Sequence, residues 1–177
     1  MKGILFTEFI ELIEAKYGLS VVDAVLESSD LPSQGIYTAV GEYDSGEMVR
    51  IIYGLSQKEN ISIDALYECL GVSLFNSLIY EGVISNYNNS TDLLLSFDNH
   101  IAFYVDLGIG SKSPTLTILD NNSKAMTIRY SASGGLYRLA YALIEKTFLY
   151  FKEKVRINYE LLDKAGSEVK FDVVKIK

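Results

Sequence analysis

The sequence predicts an α+β fold, in which a helical N-terminal lobe precedes a lobe with a four-stranded antiparallel sheet and further helices. Apolar residues recur at helical spacing through roughly the first two-thirds of the chain. Two pairs of segments that alternate apolar and polar residues follow, with one long apolar helix between the pairs. Because the chain has 177 residues, 49% of them apolar, we expect one domain, or one domain with two lobes.

The N-terminal part of the chain is predicted to consist of short helices separated by glycines and polar residues. Gly18 follows a basic last turn and should end the first helix, while Asp44 and Ser62 are candidate N-caps of later ones. Gly71 is interpreted either as a helix C-cap or as a hinge, because glycine tolerates large changes in its backbone angles. The predicted helices lie at residues 4–17, 20–28, about 45–58, 62–71 and 72–80.

The next helical segment, residues 91–105, carries the one histidine of the chain, His100. Its predicted N-cap is Ser90 or Thr91. Three aromatic residues, at i−3, i+3 and i+4, are expected to share the face of His100: Phe97, Phe103 and Tyr104. An imidazole among aromatic rings suits the axial ligand of a flat apolar cofactor such as haem. A core histidine with a satisfied hydrogen bond is the commoner explanation for such a pattern on its own.

The character of the sequence changes after residue 105. Residues 108–114 form a loop without periodicity, and Gly166 marks the turn of a predicted hairpin near the C-terminus. The predicted strands lie at residues 115–119, 125–130, 155–161 and 169–174, and the predicted helix between the two pairs lies at residues 135–151.

Composition excludes several classes of function. The formal net charge is −7, from 16 basic and 23 acidic residues, which argues against binding to nucleic acid or to an anionic membrane. Cys69 is the single cysteine, so neither a disulfide framework nor a cysteine-rich zinc site is expected. We expect a cytoplasmic protein, because no signal peptide or membrane span is evident. An enzyme is not expected, because His100 has no second histidine or reactive cysteine to work with.

Several residues together make the chain resemble the H-NOX family of haem-based nitric oxide and oxygen sensors, in its stand-alone bacterial form. They are the opening Met-Lys-Gly-Ile, the segment around Gly71, His100 in its helix, and Tyr130 about 30 residues later at the end of a strand. The resemblance covers nearly the whole chain. It implies a single domain of residues 1–177, with an N-terminal helical lobe at residues 1–62 and a haem-ligating lobe at residues 63–177. Haem b is expected in a pocket between these lobes, with His100 as the proximal iron ligand and Pro114 close to the porphyrin.

The family binds the haem propionates with a Tyr-x-Ser-x-Arg pattern. Buried carboxylates need hydrogen-bond donors, and the arginine guanidinium is a charged donor that can bind a carboxylate in bidentate fashion. The chain reads Tyr-Ser-Ala-Ser-Gly from Tyr130, so Ala132 and Gly134 replace the serine and the arginine. Ser131 and Ser133 are expected to substitute in part. The backbone N–H groups of Gly134 and Gly135, at a helix entrance, and the Arg138 side chain are further candidates.

The resemblance also assigns an apolar gas-binding side to the pocket. The residues that match it are Ile4, Phe9, Leu74, Phe75, Leu139 and Leu143, and Phe97 and Tyr104 accompany His100. Leu139 stands where oxygen-binding members place a tyrosine, while Tyr137 and Tyr141 lie about 200° around the helix. Without a hydrogen-bond donor, such a pocket is expected to bind nitric oxide and carbon monoxide and to exclude oxygen.

In the family, nitric oxide breaks the iron–histidine bond and the N-terminal lobe turns against the rest. The resemblance therefore implies a separate signalling partner, a histidine kinase or a cyclic-di-GMP enzyme. The alternative left open by Ala132 and Gly134 is a haem-free module of the same fold that binds another small ligand or a protein. The presence of His100 favours the haem protein.

Overall fold

The computed structural model describes residues 1–104, 113–132 and 136–176, and it confirms the predicted α+β class. Within these residues, six α-helices and a 3-10 turn accompany one four-stranded antiparallel sheet. The helices are α1 Gly3–Tyr17, α2 Leu19–Ser28, α3 Ser45–Glu59, α4 Ile63–Tyr80, α5 Ser90–Tyr104 and α6 Tyr137–Tyr150, with the 3-10 turn at Ile84–Asn86. The strands are β1 Thr115–Asn121, β2 Ala125–Ser131, β3 Val155–Leu161 and β4 Glu168–Lys175.

The two helices predicted on either side of Gly71 are one continuous helix, α4. Gly71 lies in its interior, so the interpretation of this glycine as a helix end is wrong. A Cβ atom at Gly71 would lie 2.5 Å from the backbone oxygen of Leu139 and 2.8 Å from the Cβ of Ala142. Glycine is therefore required by the close packing of α4 against α6, even though it costs about 1 kcal/mol of helix propensity relative to alanine.

Side chains cap three of the helices at their N-termini. Asp44 accepts a hydrogen bond from the N–H of Gly46, and Ser62 accepts one from Ala65, as predicted. The cap of α5 is Asn89, whose side-chain oxygen accepts from the N–H of Asp92 at 2.9 Å. Neither Ser90 nor Thr91 takes this role, and the hydroxyl of the buried Ser90 donates instead to Glu153.

The strand order of the sheet is β1-β2-β4-β3, and every neighbouring pair is antiparallel. In β2, alternate residues face the core, namely Met126, Ile128 and Tyr130, and Ser131 at the end of the strand is buried as well. Tyr130 is paired with Leu116 of β1 and Val169 of β4. The strand β1 is also tied to α5, because the N–H of Leu116 donates to the Asp98 carboxylate at 2.6 Å.

One hydrophobic core runs through the described residues, from α1 to the sheet. The first residues of the chain join two of its parts: the N–H of Lys2 donates to the carbonyl of Tyr104 at 3.1 Å, and the N–H of Gly3 donates to the carbonyl of Gly41 at 2.7 Å. Across the three described ranges, no helix is both long and apolar enough to cross a membrane.

Candidate cofactor site

His100 lies on α5 with its imidazole half-buried. Its Nε2 is 2.7 Å from the hydroxyl oxygen of Tyr87, and the two rings meet edge to face, 5.8 Å apart. Burial lowers the pKa of the His100 imidazole below its ordinary value. The ring is therefore neutral at pH 7, which is the form that carries the lone pair a metal needs.

Two of the three aromatic residues predicted around His100 are buried, and one is not. Phe97 and Tyr104 are buried, whereas Phe103 is 58% exposed and has the ammonium of Lys2 over its ring. The reason is the orientation of α5 about its own axis. Counting about 100° per residue around this axis, the centre of the buried face lies about 70° from His100. Phe103 lies about 130° from the same centre, which places it on the exposed side. His100 consequently lies at the edge of the buried face. The residues that form this face are Leu93, Leu94, Phe97, Ile101 and Tyr104.

The last turn of α5 is anchored by Tyr104. The hydroxyl of Tyr104 donates to the carboxylate of Glu81, which follows the end of α4, and its carbonyl accepts from Lys2. Burial, together with the Glu81 carboxylate, raises the pKa of the Tyr104 phenol. The helix that carries His100 is thus tied at one end to α4 and to the start of the chain.

Tyr130 is fully buried, and its hydroxyl has no hydrogen-bond acceptor among the described residues. Burial raises the pKa of the phenol well above its usual value, and the backbone N–H of Leu136 partly offsets this rise. That N–H is itself a donor and cannot take the phenol proton. A buried donor without an acceptor costs about 1–3 kcal/mol, and a propionate oxygen is the kind of group that would remove this cost.

The structure gives no support to the expected role of Ser131 in holding a propionate. Successive residues of a strand point to opposite faces, so Ser131 lies on the face of Arg129 and not on that of Tyr130. Its hydroxyl donates to Glu168 at 2.6 Å, and the Nε of Arg129 donates to the same carboxylate at 2.9 Å. Ala132, on the face of Tyr130, is buried.

The other predicted propionate contacts fare differently. Ser133 lies outside the described residues, together with Gly134 and Gly135. Arg138 is described, and its guanidinium pairs with Asp64 at 3.3 Å and Glu68 at 2.8 Å of α4. In this conformation two of the Arg138 nitrogens are paired with acidic side chains of α4, so the structure gives no support to a propionate contact by Arg138.

The residues expected on the gas-binding side are all buried. Ile4, Phe9, Leu74, Phe75, Leu139 and Leu143 belong to the one hydrophobic core, and Pro114 is buried just before β1. Tyr137 and Tyr141 point elsewhere, as expected: both rings contact that of Tyr159 on β3. We call the six buried gas-side residues, which lie on α1, α4 and α6, the apolar wall.

The hydroxyl groups buried in α4 and α6 are already used within their own helices. Ser73 donates to the carbonyl of Cys69, Ser77 to that of Ser73, and Thr147 to that of Leu143, at 2.8–3.1 Å. None of the three has a hydrogen left for a ligand. These three buried hydroxyls therefore offer the wall no free donor.

Tyr87 was missed by the sequence analysis, which treated residues 86–90 as a polar break. It lies 13 positions from His100 in a connection between helices. No periodicity relates a loop residue to a helix face, so the sequence carries no signal for this contact.

Comparison with protein families gives a match to the Haem-NO-binding family over residues 2–159. A search of curated protein sequences finds no match.

Three solved structures illustrate the similarity of fold. An Fe(II) unliganded H-NOX protein from K. algicida is 33% identical, with a TM-score of 0.83 over 100% of this chain and 97% of its own. An H-NOX protein from S. oneidensis in the Fe(II)NO state is 22% identical, with a TM-score of 0.81 over 100% of both chains. An oxygen-binding H-NOX domain related to soluble guanylate cyclases is 21% identical, with a TM-score of 0.79 over 100% of this chain and 96% of its own.

Proposed function

The chain belongs to the Haem-NO-binding family, and we propose that it senses nitric oxide at a ferrous haem b ligated by His100, while excluding oxygen. The family is one of haem-based gas sensors. The observation that carries haem binding to this chain is the Tyr130 hydroxyl, which is buried and lacks an acceptor in the described part of the chain. A haem propionate would supply that acceptor.

Each group has a stated task in this proposal. The neutral imidazole of His100 would hold the iron, Tyr130 and Ser133 would bind the propionates, and Pro114 would contact the porphyrin. The bound iron supplies the position at which a diatomic gas coordinates. The apolar side chains that would exclude water around that position are Ile4, Phe9, Leu74, Phe75, Leu139 and Leu143, and Phe97 and Tyr104 would accompany His100. Ser131 is not included, because its hydroxyl already bonds Glu168.

Selectivity for nitric oxide follows from the apolar wall. Iron-bound oxygen carries partial negative charge and depends on a donor, whereas nitric oxide and carbon monoxide depend on one much less. Leu139 offers no donor, and the nearby hydroxyls of Ser73, Ser77 and Thr147 bond their own helices. Oxygen is therefore disfavoured.

For signalling, we propose a separate cytoplasmic partner, either a histidine kinase or a cyclic-di-GMP enzyme, with residues 1–62 turning against residues 63–177. The support is the path of contacts from α5 to the start of the chain. Tyr104, one turn after His100, accepts a hydrogen bond from Lys2, and the next residue, Gly3, bonds Gly41. A movement of α5 thus acts directly on the N-terminal lobe.

A haem-free module of the same fold is a second candidate, and one observation favours it. The Nε2 of His100 already has a hydrogen-bond partner in Tyr87, as a histidine without a metal would. Such a module would bind another small ligand or a protein.

An absorption spectrum separates the two candidates. The protein is purified from haem-supplemented cells, reduced without air, and then exposed to oxygen and to nitric oxide. We expect a Soret band of five-coordinate ferrous haem that oxygen leaves unchanged and nitric oxide shifts, and we expect His100→Ala to lose most of the pigment. Absence of a Soret band after haem addition refutes the sensor and supports the haem-free module.

A further inference from the structure

Tyr87 and an iron ion would use the same lone pair of His100. Nε2 is the ring nitrogen farther from the helix backbone, so it is the one that reaches out to a cofactor. The hydroxyl of Tyr87 lies 2.7 Å from this atom. In the tautomer that carries its proton on Nδ1, the hydrogen bond runs from the Tyr87 O–H to the Nε2 lone pair, and this is the tautomer that an iron ligand through Nε2 requires.

We propose that Tyr87 is a positioning residue that holds His100 whenever His100 is not bound to iron. One lone pair serves either the iron or the phenol, so the two compete. The inference rests on the proposed function and deepens it: the Tyr87 hydrogen bond replaces part of what His100 loses when nitric oxide separates it from iron. Tyr87 thereby sets how readily that separation occurs.

The surroundings of Tyr87 fit this role. Its backbone N–H donates to the carbonyl of Ile84 in the 3-10 turn, at 3.1 Å, and its ring is half-buried against the core. The backbone of Tyr87 is therefore anchored in the connection between α4 and α5, outside the helix that carries His100. Donation from the Tyr87 hydroxyl to Nε2 favours the tautomer with its proton on Nδ1, so the same form of the ring serves both partners.

The position of His100 makes the exchange geometrically simple. His100 lies at the edge of the buried face of α5, and its ring meets that of Tyr87 edge to face, with 5.8 Å between the centroids. A rotation of one side chain, without unfolding of α5, moves Nε2 between the two partners. No proton is transferred in this step, because the phenol keeps its hydrogen throughout.

The test compares Tyr87→Phe with the wild type and with Tyr37→Phe. The control removes a similar hydroxyl from a half-buried tyrosine far along the chain, where Tyr37 donates to Glu47 at 2.9 Å. In haem-loaded, reduced protein treated with nitric oxide, absorption and resonance Raman spectra give the fraction that keeps the His100 ligand. We expect Tyr87→Phe to raise the ratio of His100-bound to His100-free protein by about two- to tenfold, the effect of one neutral hydrogen bond. Tyr37→Phe should leave this ratio unchanged.

A second readout needs no haem. His100 is the one histidine in the sequence, so ¹⁵N-histidine labelling gives a single imidazole spectrum in the haem-free protein. Tyr87→Phe should shift the Nε2 resonance towards that of a free lone pair, and Tyr37→Phe should not.

The outcomes separate this inference from the proposed function. If Tyr87→Phe changes neither spectrum, or lowers only the stability to urea, the inference is wrong and the nitric oxide sensor stands. If none of the three proteins binds haem, the proposed function fails and the inference fails with it. If the haem-free spectrum shifts but the nitric oxide ratio does not, Tyr87 is a structural partner of His100 and has no role in its release.

Discussion

Replacement of Gly71 by alanine tests the packing of α4 against α6. The new Cβ would lie 2.5 Å from the backbone oxygen of Leu139, about 0.9 Å inside the 3.4 Å at which ordinary contact begins. Because that oxygen belongs to a helix backbone, the whole of α6 has to shift. Overpacking of this kind lowers the free energy of unfolding by about 1–3 kcal/mol. The higher helix propensity of alanine raises it by about 1 kcal/mol. We therefore expect Gly71→Ala to lower the free energy of unfolding by about 0–2 kcal/mol.

Gly54→Ala is the matched control, because Gly54 also lies inside a helix, α3. Its added Cβ would meet Val25 Cγ1 at 3.1 Å and Ser29 Oγ at 3.3 Å, which are side-chain atoms that can move. The control should therefore keep most of the propensity gain, about 0–1 kcal/mol. Urea denaturation followed by circular dichroism gives both values. If Gly71→Ala is as stable as Gly54→Ala, the close approach to Leu139 is not what requires glycine.

Three further predictions concern the pocket and a network beside it. Tyr130→Phe should leave the haem-free protein as stable as the wild type or more so, by up to about 1–3 kcal/mol, yet speed the loss of haem to a haem-scavenging protein. Leu139→Tyr should yield an oxygen-bound spectrum on exposure to air, whereas Leu139→Phe, which adds a ring without a donor, should not. Glu153 tests the pH dependence: burial raises its pKa, but hydrogen bonds from Lys175 and Ser90 outweigh this and lower it below 4.5. The stability that Glu153 contributes is therefore present above the ordinary pKa of a glutamate and is lost as the pH falls through the lowered value, so the stability difference between wild type and Glu153→Gln at pH 7 should shrink on acidification.

The elements of the fold were predictable because periodicity reports them directly. The helical stripe of α1 and the alternation of β2 both follow from one buried face, and the structure has both close to their expected ends. Gly71 was misinterpreted because an isolated glycine can mean either a helix end or a close contact, and only the neighbouring helix distinguishes them. Phe103 was misplaced for a related reason, since i+3 spacing gives a shared face only near the centre of the buried stripe.

The site was predictable only in part, because its partners come from distant segments. The alternation of β2 could have shown that Ser131 faces away from Tyr130, since the residues at i and i+1 of a strand point to opposite sides. The hydrogen-bond partners of the polar side chains could not be predicted from the sequence in the same way. Glu168 for Ser131, and Asp64 for Arg138, lie 37 and 74 positions away along the chain.

Tyr130 and His100 differ in whether their polar groups have a hydrogen-bond partner when the pocket is empty. This difference gives an experiment that distinguishes the two candidate functions. The His100 lone pair is satisfied by Tyr87 in the absence of a cofactor, so His100 tolerates an empty pocket. The Tyr130 hydroxyl has no acceptor in the described part of the chain and remains a cost in an empty pocket. In a haem-free module, Tyr130→Phe should therefore be neutral or stabilising with no further consequence. In a haem sensor, the same change should raise the stability of the haem-free protein and lower the retention of haem by the loaded protein. A change in packing alone would affect both forms alike. Effects of opposite sign on the two forms would therefore show that the Tyr130 hydroxyl bonds the haem.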